Sequence, residues 1–211
     1  IGASGFSGCV FDNITIPGSM SFDKTGENIG GILGYANNGV QKITNITTNL
    51  SINAANTKVG GVVGYVENST FECSQFTVNT NQFAINGNSY IGAIAGKTYN
   101  SGFSISDVSI NHIMPEQDKD VLVIYATNQF VGGIIGCAEQ CKESSLSNVL
   151  VRTSVGSSGT GSDSDTGKYV GGLIGYCNTS NKIDICDTKI SGQVKGYGYV
   201  GGFIGEFTGA D

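Results

Sequence analysis

One six-residue string, V-G-G-x-x-G, returns along the whole chain and limits what the chain can fold into. It reads IGGILG (29–34), VGGVVG (59–64), IGAIAG (91–96), VGGIIG (131–136), VGGLIG (170–175) and VGGFIG (200–205), and a shortened copy, IGASG, occupies 1–5. The closing glycines are Gly5, Gly34, Gly64, Gly96, Gly136, Gly175 and Gly205, at intervals of 29, 30, 32, 40, 39 and 30 residues. Self-similarity at such a period marks a repeat architecture, in which one small unit stacks on the next. The unit is about 30 residues long. Corner insertions near 114–128 and 156–168 lengthen two units, and 1–211 reads as a single repeat-array domain.

A second segment follows each closing glycine in register: FDNITI (11–16), ITNITT (43–48), CSQFTV (73–78), ISDVSI (105–110), LSNVLV (146–151) and ICDTKI (185–190). Its first, fourth and sixth positions are mostly apolar. Its third is always polar: Asn13, Asn45, Gln75, Asp107, Asn148 and Asp187. Stacked unit on unit, these six form a structural ladder that hydrogen-bonds turn backbone or its own neighbours. Clustered glycine, asparagine, threonine and β-branched residues with no persistent 3.6-residue stripe argue against helix and for short strands. There are 33 glycines but only 2 prolines and no strict glycine period, which excludes collagen. The expected fold is all-β, a β-solenoid (β-helix) of about six to seven coils with roughly 30 residues per coil.

The strings GGILGY, GGVVGY, GGIIG, GGLIGY and GGFIG resemble the GLUG motif, a short glycine–apolar–glycine repeat. That resemblance implies a large secreted or surface protein, adhesin-like and non-catalytic, with repetitive surface architecture rather than a reaction. The copies IGASG and IGAIAG depart from the pattern by substitution of Ala or Ser.

The chemistry-bearing residues are few. Carboxylates drift between units, and the single histidine (His112) and single arginine (Arg152) have no repeated acidic partner, so no catalytic or metal site and no cofactor are expected. The insertion carboxylates Asp118, Asp120, Asp163 and Asp165 fall on neighbouring corners, where oxygen-rich loops can hold Ca²⁺, but the spacing of a calcium loop is absent. Aromatic residues precede the V-G-G strand in four successive units: Tyr90, Phe130, Tyr169 and Tyr199. Because strand neighbours point to opposite faces, these four are expected to form an outward row and a contact surface for a sugar or a protein. Cys137, Cys141, Cys177 and Cys186 lie near turns of two adjacent units. Local bridges Cys137–Cys141 and Cys177–Cys186 are favoured, with Cys137–Cys177 the rival. Five N-x-S/T sequons make Asn68, Asn178, Asn13, Asn45 and Asn49 candidate glycan acceptors, and Asn68 and Asn178 are expected in a loop from which a glycan projects.

Eleven Lys and Arg face 17 Asp and Glu, a net charge of −6, which makes nucleic acid an unfavourable partner. The longest apolar run, Val121–Ala126, is too short to span a bilayer. The chain begins inside a repeat and stops just after one, so its partial end units are nearly complementary. The expected function is an extracellular or cell-surface structural and adhesive protein that presents a rigid surface. Such a protein is expected to associate head-to-tail with itself, as a filament or as part of a longer array, and to contact surface glycans. The alternative is a carbohydrate-binding or carbohydrate-processing β-helix.

Overall fold

Each V-G-G string makes a short strand, a tight bend and the start of a second strand, as in Val131–Gly132 followed by Ile135–Cys141. The computed structural model describes residues 3–4, 8–18, 20–21, 26–55, 57–112, 121–159 and 166–209. Among these the chain is strand, bend and turn throughout, with no helix. Asp118, Asp120, Asp163 and Asp165 lie outside the described residues.

Equivalent strands of successive repeats pair in parallel, residue on residue. Val59 lies beside Ile91, Ile91 beside Val131, Val131 beside Val170 and Val170 beside Val200. The first four of these are fully buried and form one apolar row. Leu33, Val63, Ala95, Ile135 and Ile174 make a second such row. Ile43, Cys73, Ile105 and Leu146 make a third. Each large apolar side chain so removed from water contributes about 1.5–3 kcal/mol. Burial pushes the Cys73 thiol up to about 12, so it serves as a small core residue.

The glycines are needed where the backbone turns back on itself. A Cβ on Gly132 would lie 1.9 Å from the carbonyl oxygen of Ile135 and 2.6 Å from that of Leu173 one repeat on. This second position of the string is glycine in all six full copies, whereas the third is Ala93 in one of them.

The expectation of a β-solenoid of about six to seven coils is corrected by the strand order. The described residues form three stacked parallel sheets of unequal size, one of eleven strands and two of six. One six-stranded sheet holds the V-G-G strands, from Ile29–Gly30 to Val200–Gly201; the other runs from Met20–Ser21 to Val194–Lys195. The third sheet curls because the segments read from sequence as separate strands are in places one. Leu33–Thr48 and Val63–Val78 are continuous strands of 16 residues. Val63–Val78 pairs along its first part with Ala95–Tyr99 and along its second with Gly102–Asn111. The bend within it falls at Asn68, which holds a positive φ of 50°. One left-handed residue turns the strand without ending it, so two walls fuse into one curled sheet.

Candidate functional site

The left-handed backbone positions fall into three rows that cross the repeats. Asn13, Asn45, Gln75, Asp107, Asn148 and Asp187 all have φ between 49° and 57°, and all six are exposed. Asn and Asp tolerate this conformation better than other side chains, which explains the polar third position. Along the row Asn45 donates to Asn13, and Asn148 Nδ2 donates to Asp107 Oδ1 at 2.7 Å. A second row, Asn38, Asn68, Asn100 and Gln140, lies at the bend of the large sheet. There Asn100 Nδ2 donates to Asn68 Oδ1 at 2.7 Å. It escaped the sequence reading, although each member stands four residues after a closing glycine.

The third row is Lys58, Tyr90, Phe130 and Tyr169, with φ between 57° and 61°. Bulky residues are costly in this region, and ring stacking offsets part of the cost. Tyr90 stacks on Phe130 with centroids 4.7 Å apart, Phe130 on Tyr169 at 4.6 Å, and Tyr169 on Tyr199 at 5.3 Å. The first two pairs are within 4° of parallel. Tyr176 packs edge-on against Phe130 and Tyr169, and Lys97 lies 4.9 Å over the Tyr90 ring while pairing with Glu139 at 2.8 Å. Phe130 and Tyr169 therefore stack on a ring on either side, and Tyr90 stacks on one ring and meets Lys97. Beside them Tyr35 and Tyr65 stack at 5.4 Å and both hydrogen-bond Glu67. Burial, then Glu67, pushes Tyr35 up to about 12 and moves Tyr65 upward as well.

No disulfide joins the six cysteines. Cys137, Cys141 and Cys177 are buried and Cys186 is exposed. Cys177 and Cys186 occupy different strands, Ile174–Thr179 and Ile183–Ser191, with Cys177 buried and Cys186 exposed on its own strand.

The sequon residues are placed differently from expectation. Asn68 and Asn178 lie in strands, not in a loop: Asn68 is inside Val63–Val78, which runs on through the bend, and Asn178 is next to the end of Ile174–Thr179. Asn68 is exposed and Asn178 half-buried; Asn13 and Asn45 are exposed ladder members, and Asn49 is half-buried.

His112 is nearly buried, with Nδ1 lacking a partner, and burial lowers its pKa. Arg152 Nη1 donates to Asn111 Oδ1 at 3.4 Å. Among the described residues no group of three or more His, Cys, Asp or Glu is placed to hold a metal ion, and no helix is long and apolar enough to cross a membrane.

One open edge is formed by Ile183–Ser191, Val194–Lys195, Val200–Gly201 and Ile204–Gly209. In the repeat before it Val170, Leu173 and Cys177 are fully buried, while their successors Val200, Phe203 and Phe207 are 41%, 46% and 54% exposed. A Cβ on Gly202 meets nothing within 4 Å, whereas one on Gly172 would lie 2.2 Å from the Gly202 carbonyl oxygen. No protein-family model, curated protein or solved structure matches this chain.

Proposed function

We propose that the chain is a structural and adhesive repeat array of the cell exterior, which presents a rigid surface and accepts a further repeat on its open edge. The observation that carries this reading is the edge itself. The inner repeats cover their predecessors with apolar residues and glycine backbone, and from Phe130 onward with a stacked ring as well. The edge offers the same set with one partner lacking: Val200, Phe203 and Phe207, the space above Gly202, and the outer face of Tyr199. Unpaired strand edges of this kind template further strands. A second copy of the chain and a neighbouring repeat of a longer array both satisfy it, and head-to-tail contact of this type propagates rather than closes.

The exterior location is supported by the GLUG-like strings and by the exposed sequons at Asn13, Asn45 and Asn68. A carbohydrate-binding role is favoured only by the open face of Tyr199, since the inner rings have no free face for a sugar. Light scattering across a wide concentration range tests the reading. Wild type is expected to grow in mass with concentration, and Val200→Lys to stay monomeric. A wild-type chain that stays a soluble monomer throughout refutes addition of a second copy, and glycan-panel binding lost in Tyr199→Ala supports the saccharide reading instead.

A further inference from the structure

We propose that Cys141 and Cys177 are an oxidisable pair that closes into a disulfide between adjacent repeats. Both are in the apolar core, at 1% and 0% exposure, and both sit on neighbouring parallel strands of the large sheet, Ile135–Cys141 and Ile174–Thr179. Ala138 pairs with Cys177 and Cys141 pairs with Thr179, so the register slips between Ala138 and Cys141. That bulge follows from Gln140, which holds a left-handed φ of 49°, and it draws Cys141 back toward Cys177. The two thiols lie within hydrogen-bonding reach of each other. The backbone beside them is pinned: Thr179 Oγ1 and Asn181 Nδ2 donate to the Cys141 carbonyl at 2.8 and 3.0 Å.

Burial raises the Cys137 thiol beside Glu139. With a low-molecular-weight disulfide such as oxidised glutathione as oxidant, one cysteine of the pair attacks as its thiolate, forms a mixed disulfide and releases one glutathione thiolate. The other then loses its proton and attacks the Sγ of the first, forming the Sγ–Sγ bond and releasing the second glutathione thiolate. Two protein thiols are oxidised and one glutathione disulfide is reduced to two glutathiones, with the protons passing to the leaving thiolates. The slipped register leaves the ladder broken beside Cys141, which is where a local opening admits the reagent. The bond would tie the next-to-last repeat to the one before it.

The test uses the whole chain, reduced, freed of reductant, incubated natively with oxidised glutathione, alkylated and mapped as peptides without reduction. Wild type is expected to lose two hydrogens in a linked Cys141–Cys177 pair. The same link is expected in Cys137→Ser and is lost in both Cys141→Ser and Cys177→Ser, each checked for native far-ultraviolet circular dichroism. A link that uses Cys137 or Cys186, or six alkylated cysteines in wild type after prolonged oxidation, overturns the proposal.

Discussion

Replacing Gly132 with alanine should destabilise the fold far more than the same change at Gly133, and Gly202→Ala should have no effect on the isolated chain. At Gly132 the new Cβ falls 1.9 Å from the Ile135 carbonyl oxygen within its own bend and 2.6 Å from the Leu173 oxygen of the next repeat. Both obstacles are backbone, so neither can swing away. Relief requires opening the bend by about 1 Å, which stretches three bonds to the following repeat: Gly133 N–H to Gly171, and Ile134 and Ile135 N–H to Leu173, now 3.2, 2.8 and 3.0 Å. At about 1 kcal/mol each their loss amounts to about 3 kcal/mol. For a chain of this length that lowers Tm by about 6–12 °C. At Gly133 the nearest atom is the Gly172 oxygen at 2.0 Å, but Ala93 occupies the equivalent place without disruption, so this position adapts and the loss is smaller. At Gly202 nothing lies within 4 Å, and stability should change by no more than the usual surface scatter of about 0.5 kcal/mol. Thermal unfolding followed by far-ultraviolet circular dichroism ranks the three. Equal losses at Gly132 and Gly202 would refute the close-approach argument.

Asn148→Ala removes the bond to Asp107 and puts alanine, which tolerates left-handed backbone less well than asparagine, at a φ of 51°, so it should lose about 1–2 kcal/mol in denaturant unfolding, while Asn148→Gly loses less because glycine accepts that φ. Val131→Asp puts a carboxylate into a fully buried row and should unfold the repeats around it, seen as lost strand signal or proteolytic cleavage near 131. Tyr35 titrates near 12 against an ordinary 10.0. Its protonated form is thus favoured in the folded state, and the stability it contributes is full below pH 10 and lost as pH rises through about 12. Ultraviolet absorbance titration should show Tyr35 ionising late, and Glu67→Gln should bring it earlier; an unchanged curve in that variant would count against the Glu67 contact.

Much of this architecture is legible in the residues. The recurring glycines locate the bends, the Val and Ile before them mark the buried row from Val59 to Val170, and the polar third position marks the left-handed turn at Asn13, Asn45, Gln75, Asp107, Asn148 and Asp187. The sheet arrangement is not legible. A bend read as a strand break is a single left-handed residue, such as Asn68, through which hydrogen bonding continues, and that fuses two walls. Ring orientation escapes for a similar reason. Spacing places Tyr90, Phe130, Tyr169 and Tyr199 in line, but only the side-chain torsions decide whether they show faces or edges. The cysteine geometry depends on a one-residue slip between Ala138 and Cys141 that no spacing rule announces.

The central claim is that the edge carrying Val200, Phe203 and Phe207 is covered by another repeat in the native protein. Electron microscopy of native material tests it directly. The account predicts density continuing past the Ile183–Ser191 and Ile204–Gly209 strands, with further parallel strands at about 4.8 Å spacing. Discrete particles in which that edge faces solvent would contradict it.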